Sequence, residues 1–136
     1  MAMSGGCLCG RVRYEISAPM IFGGFCYCLD CRKQSGSHSA SMAVPEAAVR
    51  MSGETREFQT TGDSGNQVSR VFCPNCGSAL LSKGARPGVV MIKAGTLDDP
   101  EQFKPQASIY VSRAPSWDPP RPGLPAFPEM PPQPPS

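Results

Sequence analysis

Seven cysteines, none of them isolated, constrain this chain more than any other feature of its sequence. They fall into three groups: Cys7 and Cys9 as C-x-C, Cys26, Cys28 and Cys31 as C-x-C-x-x-C, and Cys73 and Cys76 as C-x-x-C. No apolar run approaches the ~18 residues that a membrane-spanning helix needs, and the N-terminus lacks the basic and apolar stretches of a secretory signal. The expectation is a soluble, cytoplasmic protein with no membrane partner. Because the cytosol keeps thiols reduced, an odd number of clustered cysteines reads as metal ligands and not as a disulfide framework.

Zinc takes four ligands in a closed structural site, and such ligands arrive in close pairs because one tight turn can aim two thiolates at one ion. The segment Cys73-Pro74-Asn75-Cys76-Gly77 has the form of a zinc-ribbon knuckle, with Gly77 letting the backbone turn closely behind the sulfurs. Joined to Cys7 and Cys9, it makes a four-thiolate structural site that ties the first strand to the middle of the chain. Cys26, Cys28 and Cys31 are then left over, and three is the ligand number of catalytic zinc sites that keep a fourth position open. Other partitions, such as the trio joined by Cys73, leave more thiols unmatched, and spacing alone does not exclude them. Buried thiols without metal, a redox thiol set or the remnant of a second structural site are the competing readings of the trio.

With 136 residues the chain is expected to be a single domain over 1–136. Ten of the 16 prolines fall in the last 22 residues, so 115–136 cannot be helix or central strand. That segment still carries Trp117, Leu124, Phe127 and Met130, more apolar bulk than a solvated linker holds, so it is expected to pack on the body and to fray at its end. Upstream, Val12, Tyr14 and Ile16 alternate with Arg11, Arg13 and Glu15, the period of a half-buried strand over 8–16. Further strands are expected at 39–44, 68–72, 89–94 and 108–111, separated by Gly, Pro, Asp and Ser clusters. The one helical signal of any strength is Pro45-Glu46-Ala47-Ala48, a turn or two at most. The fold class is mainly β.

These motifs resemble the glutathione-dependent formaldehyde-activating enzyme family, which includes centromere protein V. The resemblance runs through Gly6-Cys7-Leu8-Cys9-Gly10-Arg11-Val12-Arg13-Tyr14, Cys26-Tyr27-Cys28-Leu29-Asp30-Cys31-Arg32-Lys33 and Phe72-Cys73-Pro74-Asn75-Cys76-Gly77-Ser78. It continues in Ala114-Pro115-Ser116-Trp117 and Gly123-Leu124-Pro125, and so covers essentially the whole chain. It implies a β-tent fold of small antiparallel sheets with zinc-ribbon-like knuckles. It also implies a structural zinc on Cys7, Cys9, Cys73 and Cys76, and a second, more labile zinc on Cys26, Cys28 and Cys31. One departure is Tyr27, where family members often carry His.

Three thiolates donate so much charge to a zinc ion that it is a weak Lewis acid toward water. A substrate thiol can instead occupy the open position as a thiolate and add to a carbonyl carbon. The expected activity is therefore a zinc-dependent carbon-sulfur lyase reaction, the reversible addition of glutathione or a similar thiol to a small aldehyde. Arg32 and Lys33 are candidates for holding a substrate carboxylate, or else face solvent. Asp30 is either an outer hydrogen-bond acceptor or a loop residue. His38, the single histidine, is the candidate for proton transfer between thiol and carbinol oxygen. Trp117 either caps the pocket or packs in the core.

No phosphate-cradling loop is present, since Ser35-Gly36-Ser37 has one glycine where the patterns need more. A net charge of +2, with 13 Lys and Arg interspersed among 11 Asp and Glu, argues against a nucleic-acid partner. The alternatives to an enzyme are a zinc-ribbon binding module and a thiol redox or metal-handling protein without turnover.

Overall fold

The computed structural model describes residues 2–62 and 65–131. Two sheets carry the chain. The smaller joins β1 (Met3–Gly6), β2 (Arg13–Ile16) and β5 (Val49–Ser52) in antiparallel order β1-β2-β5. The larger is built from β3 (Phe22–Cys26), β4 (Ser39–Pro45), β6 (Arg56–Thr61), β7 (Gln67–Phe72), β8 (Ala79–Lys83), β9 (Val89–Lys93) and β10 (Ala107–Ile109). Its order is β10-β3-β4-β9-β8-β7-β6, antiparallel throughout except for the parallel pair β10 and β3. The fold is mainly β, as the alternation of residue types requires.

The alternation read in residues 8–16 is strand only from Arg13 onward, because residues 7–12 close a turn on themselves. Cys7 N–H donates to Val12 O at 3.0 Å and Gly10 N–H to Cys7 O at 3.1 Å. Pro45-Glu46-Ala47-Ala48 forms one 3-10 turn, Glu46–Ala48, between β4 and β5. A seven-residue helix, α1 (Leu29–Ser35), was not among the expected elements.

The core lies where Val12, Tyr14 and Ile16 of the small sheet meet Met42, Val44, Leu80 and Ile92 of the large one, all at most 2% exposed. Tyr14 reaches through it to the far side, its hydroxyl 2.7 Å from Thr96 Oγ1. Gly5 sits opposite Tyr14 in the register, and a Cβ there would fall 2.3 Å from both the Tyr14 hydroxyl and the Thr96 carbonyl. Neither atom can retreat without breaking the contact between the sheets. Gly5→Ala is therefore expected to cost about 3 kcal/mol, read as a shift of the urea midpoint of metal-loaded protein at constant slope. An unchanged midpoint would show that the sheets slide apart freely at this point.

The proline-rich tail returns along β10. Proline lacks an N–H, but its carbonyl still accepts. Accordingly Ser108 N–H donates to Pro125 O at 2.9 Å, Phe127 N–H to Ser108 O at 2.9 Å and the Tyr27 hydroxyl to Pro119 O at 3.3 Å. Trp117 is 66% exposed and takes no part in the core. The fraying expected at the end of the tail falls on residues 132–136, outside the described residues.

Candidate metal centres

Two hairpin turns present the first centre. In residues 7–10 and 73–77 the chain doubles back so that backbone N–H groups point at sulfur, as when Val12 N–H donates to Cys7 Sγ at 3.2 Å. Gly10 and Gly77 close these turns at φ of 84° and 79°, a conformation that favours glycine. Gly77 N–H returns to Cys73 O at 2.8 Å, and Leu8 N–H crosses to Ser78 Oγ at 3.0 Å, locking one turn to the other. The sulfurs of Cys7, Cys9, Cys73 and Cys76 all lie within 4.8 Å of one another.

The spacings fit the implied ion. Four thiolates at ~2.3 Å from a tetrahedral zinc stand ~3.8 Å apart. Cys7 and Cys9 Sγ are 3.5 Å apart, and Cys9 and Cys73 Sγ are 3.8 Å apart, far too long for a disulfide. Hydrogen bonds from the Ser78 hydroxyl and backbone lower the Cys76 thiol to about 5, so this ligand is ready as thiolate. The four-plus-three partition is thus realised in space, and Cys73 belongs with the knuckles and not with the trio.

The second centre is Cys26, Cys28 and Cys31, whose sulfurs also lie within 4.8 Å of one another. No His, Asp or Glu among the described residues joins them at that distance. Cys26 ends β3, Cys28 caps α1, and Cys31 lies in its first turn. Cys28 Sγ accepts from Cys31 N–H at 3.2 Å, the capping bond that a serine or aspartate would ordinarily supply. The helix ends at Gly36, whose N–H donates to Arg32 O. Within the trio the Cys28 thiol is the one that is lowered. Hydrogen bonds from Cys26 and then Cys31 hold it down to about 2 against the opposing effect of burial. The same bond to Cys28, made as donor, pushes the Cys26 thiol up.

The strand register decides what surrounds the trio. Cys26 pairs with Ser39, and Ser41 pairs with Lys93, so these four side chains share one face of the large sheet. Arg70 pairs with Ser82 and Ser82 with Met91, two residues from Lys93, which brings Arg70 to the same face. Helix α1 covers that face: Ser35 Oγ is 3.5 Å from Lys93 Nζ, and Gln34 Oε1 accepts from Arg70 NH1 at 3.0 Å. Lys93 and Arg70 are each 9% exposed. Burial lowers the Lys93 ammonium, while the charge of Cys31 opposes that shift.

Sequence reading did not single out either cation. The available signal was a lone Lys closing the apolar run Val89-Val90-Met91-Ile92 and a lone Arg inside Val68-Ser69-Arg70-Val71-Phe72.

The residues that were singled out are distributed differently. Arg32 and Lys33 stand in the last turn of α1, Arg32 partly buried and Lys33 exposed. Asp30 Oδ2 is 4.0 Å from Arg70 NH2. His38 precedes Ser39 and turns to the opposite face, its ring 5.2 Å from that of Phe25 and 5.1 Å from that of Tyr27. There its Nδ1 lies 2.9 Å from Asp118 Oδ1, and its backbone N–H donates to Asp118 Oδ2 at 2.9 Å. A carboxylate only accepts, so Nδ1 carries the proton. The pleat therefore separates His38 from the three sulfurs. It opens instead onto a depression of about 230 Å³ walled by Phe25, Tyr27 and segment 119–122, with the Arg121 guanidinium 5.0 Å over the Phe25 ring.

Asp118 anchors the tail to this face. Asp118→Ala removes both bonds to His38 and is expected to raise amide exchange at His38 about tenfold, the effect of losing a charge-assisted hydrogen bond. Hydrogen exchange read by mass spectrometry checks this, and an unchanged rate would mean that the tail is held elsewhere.

The fold and the two sulfur clusters define a class: small β proteins that carry a four-cysteine and a separate three-cysteine group able to hold metal ions. The family model described as glutathione-dependent formaldehyde-activating enzyme matches residues 2–113, and the chain belongs to that family. A Halomonas elongata protein described as "Putative glutathione-dependent formaldehyde-activating enzyme" is 29% identical over 128 residues, which take in 86% of this chain and 80% of that protein. The crystal structure of a Rhodobacter sphaeroides protein superposes with a TM-score of 0.57 at 20% identity, covering 71% of this chain and 88% of that one. That likeness is one of fold. The family match ends at Arg113, before the tail segment that carries Asp118.

Among the described residues no helix is long and apolar enough to cross a membrane.

Proposed function

We propose that the protein is a zinc-dependent carbon-sulfur lyase that adds glutathione, or a thiol like it, reversibly to formaldehyde or a similarly small aldehyde. The observation that carries this reading is the second centre. It has three thiols within 4.8 Å of one another and no fourth protein ligand among the described residues, beside two buried cations. Family membership supports the substrate pair. Zinc bound by Cys26, Cys28 and Cys31 would supply a position at which a substrate sulfur is held as thiolate.

The reaction is an addition and balances without an oxidant: a sulfur-carbon bond forms, the carbonyl π-bond breaks, and the proton lost from sulfur is matched by one gained at oxygen. The chain's own contribution is to orient and to supply charge. Arg32 and Lys33, in the helix turn that follows Cys31, offer two cations for the carboxylates of a glutathione-like thiol. The proton-transfer role expected of His38 does not fit its place on the opposite face, and the proton is taken to exchange with solvent.

Exchange NMR between free and hydroxymethylated glutathione tests the proposal. The exchange rate is expected to rise in proportion to protein concentration and to metal content above one ion per chain. A rate equal to that of buffer alone, with both centres loaded, would overturn it.

A further inference from the structure

The depression on the His38 side of the sheet is lined by two polar heads that the described residues leave without a partner. His38 gives its Nδ1 proton to Asp118, which in the neutral ring leaves Nε2 as an acceptor, and no described residue bonds to Nε2. Arg121 lines the same depression, exposed, with its guanidinium 5.0 Å over the Phe25 ring. No carboxylate among the described residues pairs with it. Asp118, three residues before it, is committed to His38, accepting from the backbone N–H at 2.9 Å as well as from the ring. The Tyr27 hydroxyl is likewise spent, on Pro119 O at 3.3 Å.

The walls decide the rest of a ligand. Phe25 and Tyr27, either side of Cys26, supply aromatic faces, and the prolines of segment 119–122 stand across from them. Fixed φ keeps that segment stiff, and the Asp118 bonds tie its start to the body, so the guanidinium is in place before any ligand arrives. At about 230 Å³ the depression is below the ~300–1,000 Å³ of sites for drug-sized molecules, which limits the occupant to roughly one ring and its substituents. We propose that it binds a small, flat hydroxycarboxylate. The carboxylate lies on the Arg121 fork, the hydroxyl donates to His38 Nε2, and the body rests on the aromatic and prolyl walls. The site is separated from the trio by the pleat and is completed by residues beyond Arg113, where the family match ends, so it stands apart from the lyase reading.

The test titrates para-hydroxybenzoate into metal-loaded protein. The readouts are the ring-nitrogen shifts of His38, the one histidine, and the fluorescence of Trp117, the one tryptophan and the neighbour of Asp118. Saturable binding with Kd of about 1 mM or tighter is expected, with Nε2 shifted and Nδ1 still protonated. Arg121→Met, at an exposed position outside the core, is expected to weaken binding about tenfold while thiol exchange with aldehyde keeps its wild-type rate. The para-hydroxybenzyl alcohol, which lacks the carboxylate, is expected to bind about tenfold more weakly than the acid. Benzoate, which lacks the donor, is expected to leave Nε2 unshifted. Failure to saturate, equal affinity in Arg121→Met, or binding of para-hydroxybenzoate that leaves Nε2 unshifted would each overturn the proposal. Thiol exchange no faster than buffer would sink the lyase reading and leave this one standing.

Discussion

Replacing Cys73 by serine is expected to unfold the protein. Cys73 is fully buried, its sulfur 3.8 Å from that of Cys9, and its backbone closes the turn between β7 and β8. Through it the four-cysteine centre joins the β1–β2 turn of the small sheet to the β7–β8 turn of the large one, contacts 64 residues apart in sequence. A structural zinc contributes ~10–16 kcal/mol in small metallo-domains, as much as the entire ~5–15 kcal/mol by which a domain is stable. Serine is a poor zinc ligand, so the centre is left with three thiolates. The expected result is loss of the cooperative thermal transition in circular dichroism, even with zinc added. A transition within a few degrees of wild type would show that the hydrophobic core holds the two sheets together unaided.

Cys28→Ser is expected to have the opposite profile: a folded protein with one metal ion fewer and no catalysis. Serine is among the best residues at a helix N-cap, and its oxygen can accept from Cys31 N–H as the sulfur does at 3.2 Å. Helix α1 therefore survives the change, and Lys93 and Arg70 remain covered. What disappears is one of the three clustered sulfurs of the trio. Thiol exchange with aldehyde is expected to fall to the buffer rate, a loss of about a hundredfold or more of the catalysed rate. Elemental analysis is expected to show a fall from nearly two zinc ions per chain to one. Unchanged exchange in a variant that has lost its second ion would remove the metal from the reaction altogether.

Much of this architecture was legible in the residues. Pairs of cysteines at C-x-C and C-x-x-C spacing are bound to tight turns, so spacing proposed a four-plus-three partition, and the contacts in space then decided it. The strand signal in β4, β7 and β9 came from β-branched and apolar runs between glycine, proline and serine clusters. Helix α1 escaped notice because seven residues are too few to show a period, and its start is signalled by Cys28, a residue that caps only where a neighbouring N–H is at hand. Trp117 shows the converse error: apolar bulk in the tail suggested packing, yet the tail is held by carbonyls of proline and by Asp118, and the indole is left in solvent.

The sequence by itself determined the three cysteine groups and the mainly β character, because both are written in short-range spacing: two residues for a strand, three or four for a cysteine turn. Which face each side chain occupies was decided by tertiary structure, since it depends on the register between strands far apart in the chain. That register turned His38 away from the trio and toward Asp118. It also brought Lys93 and Arg70 beneath α1, where burial makes a single charge count for far more than it would in water.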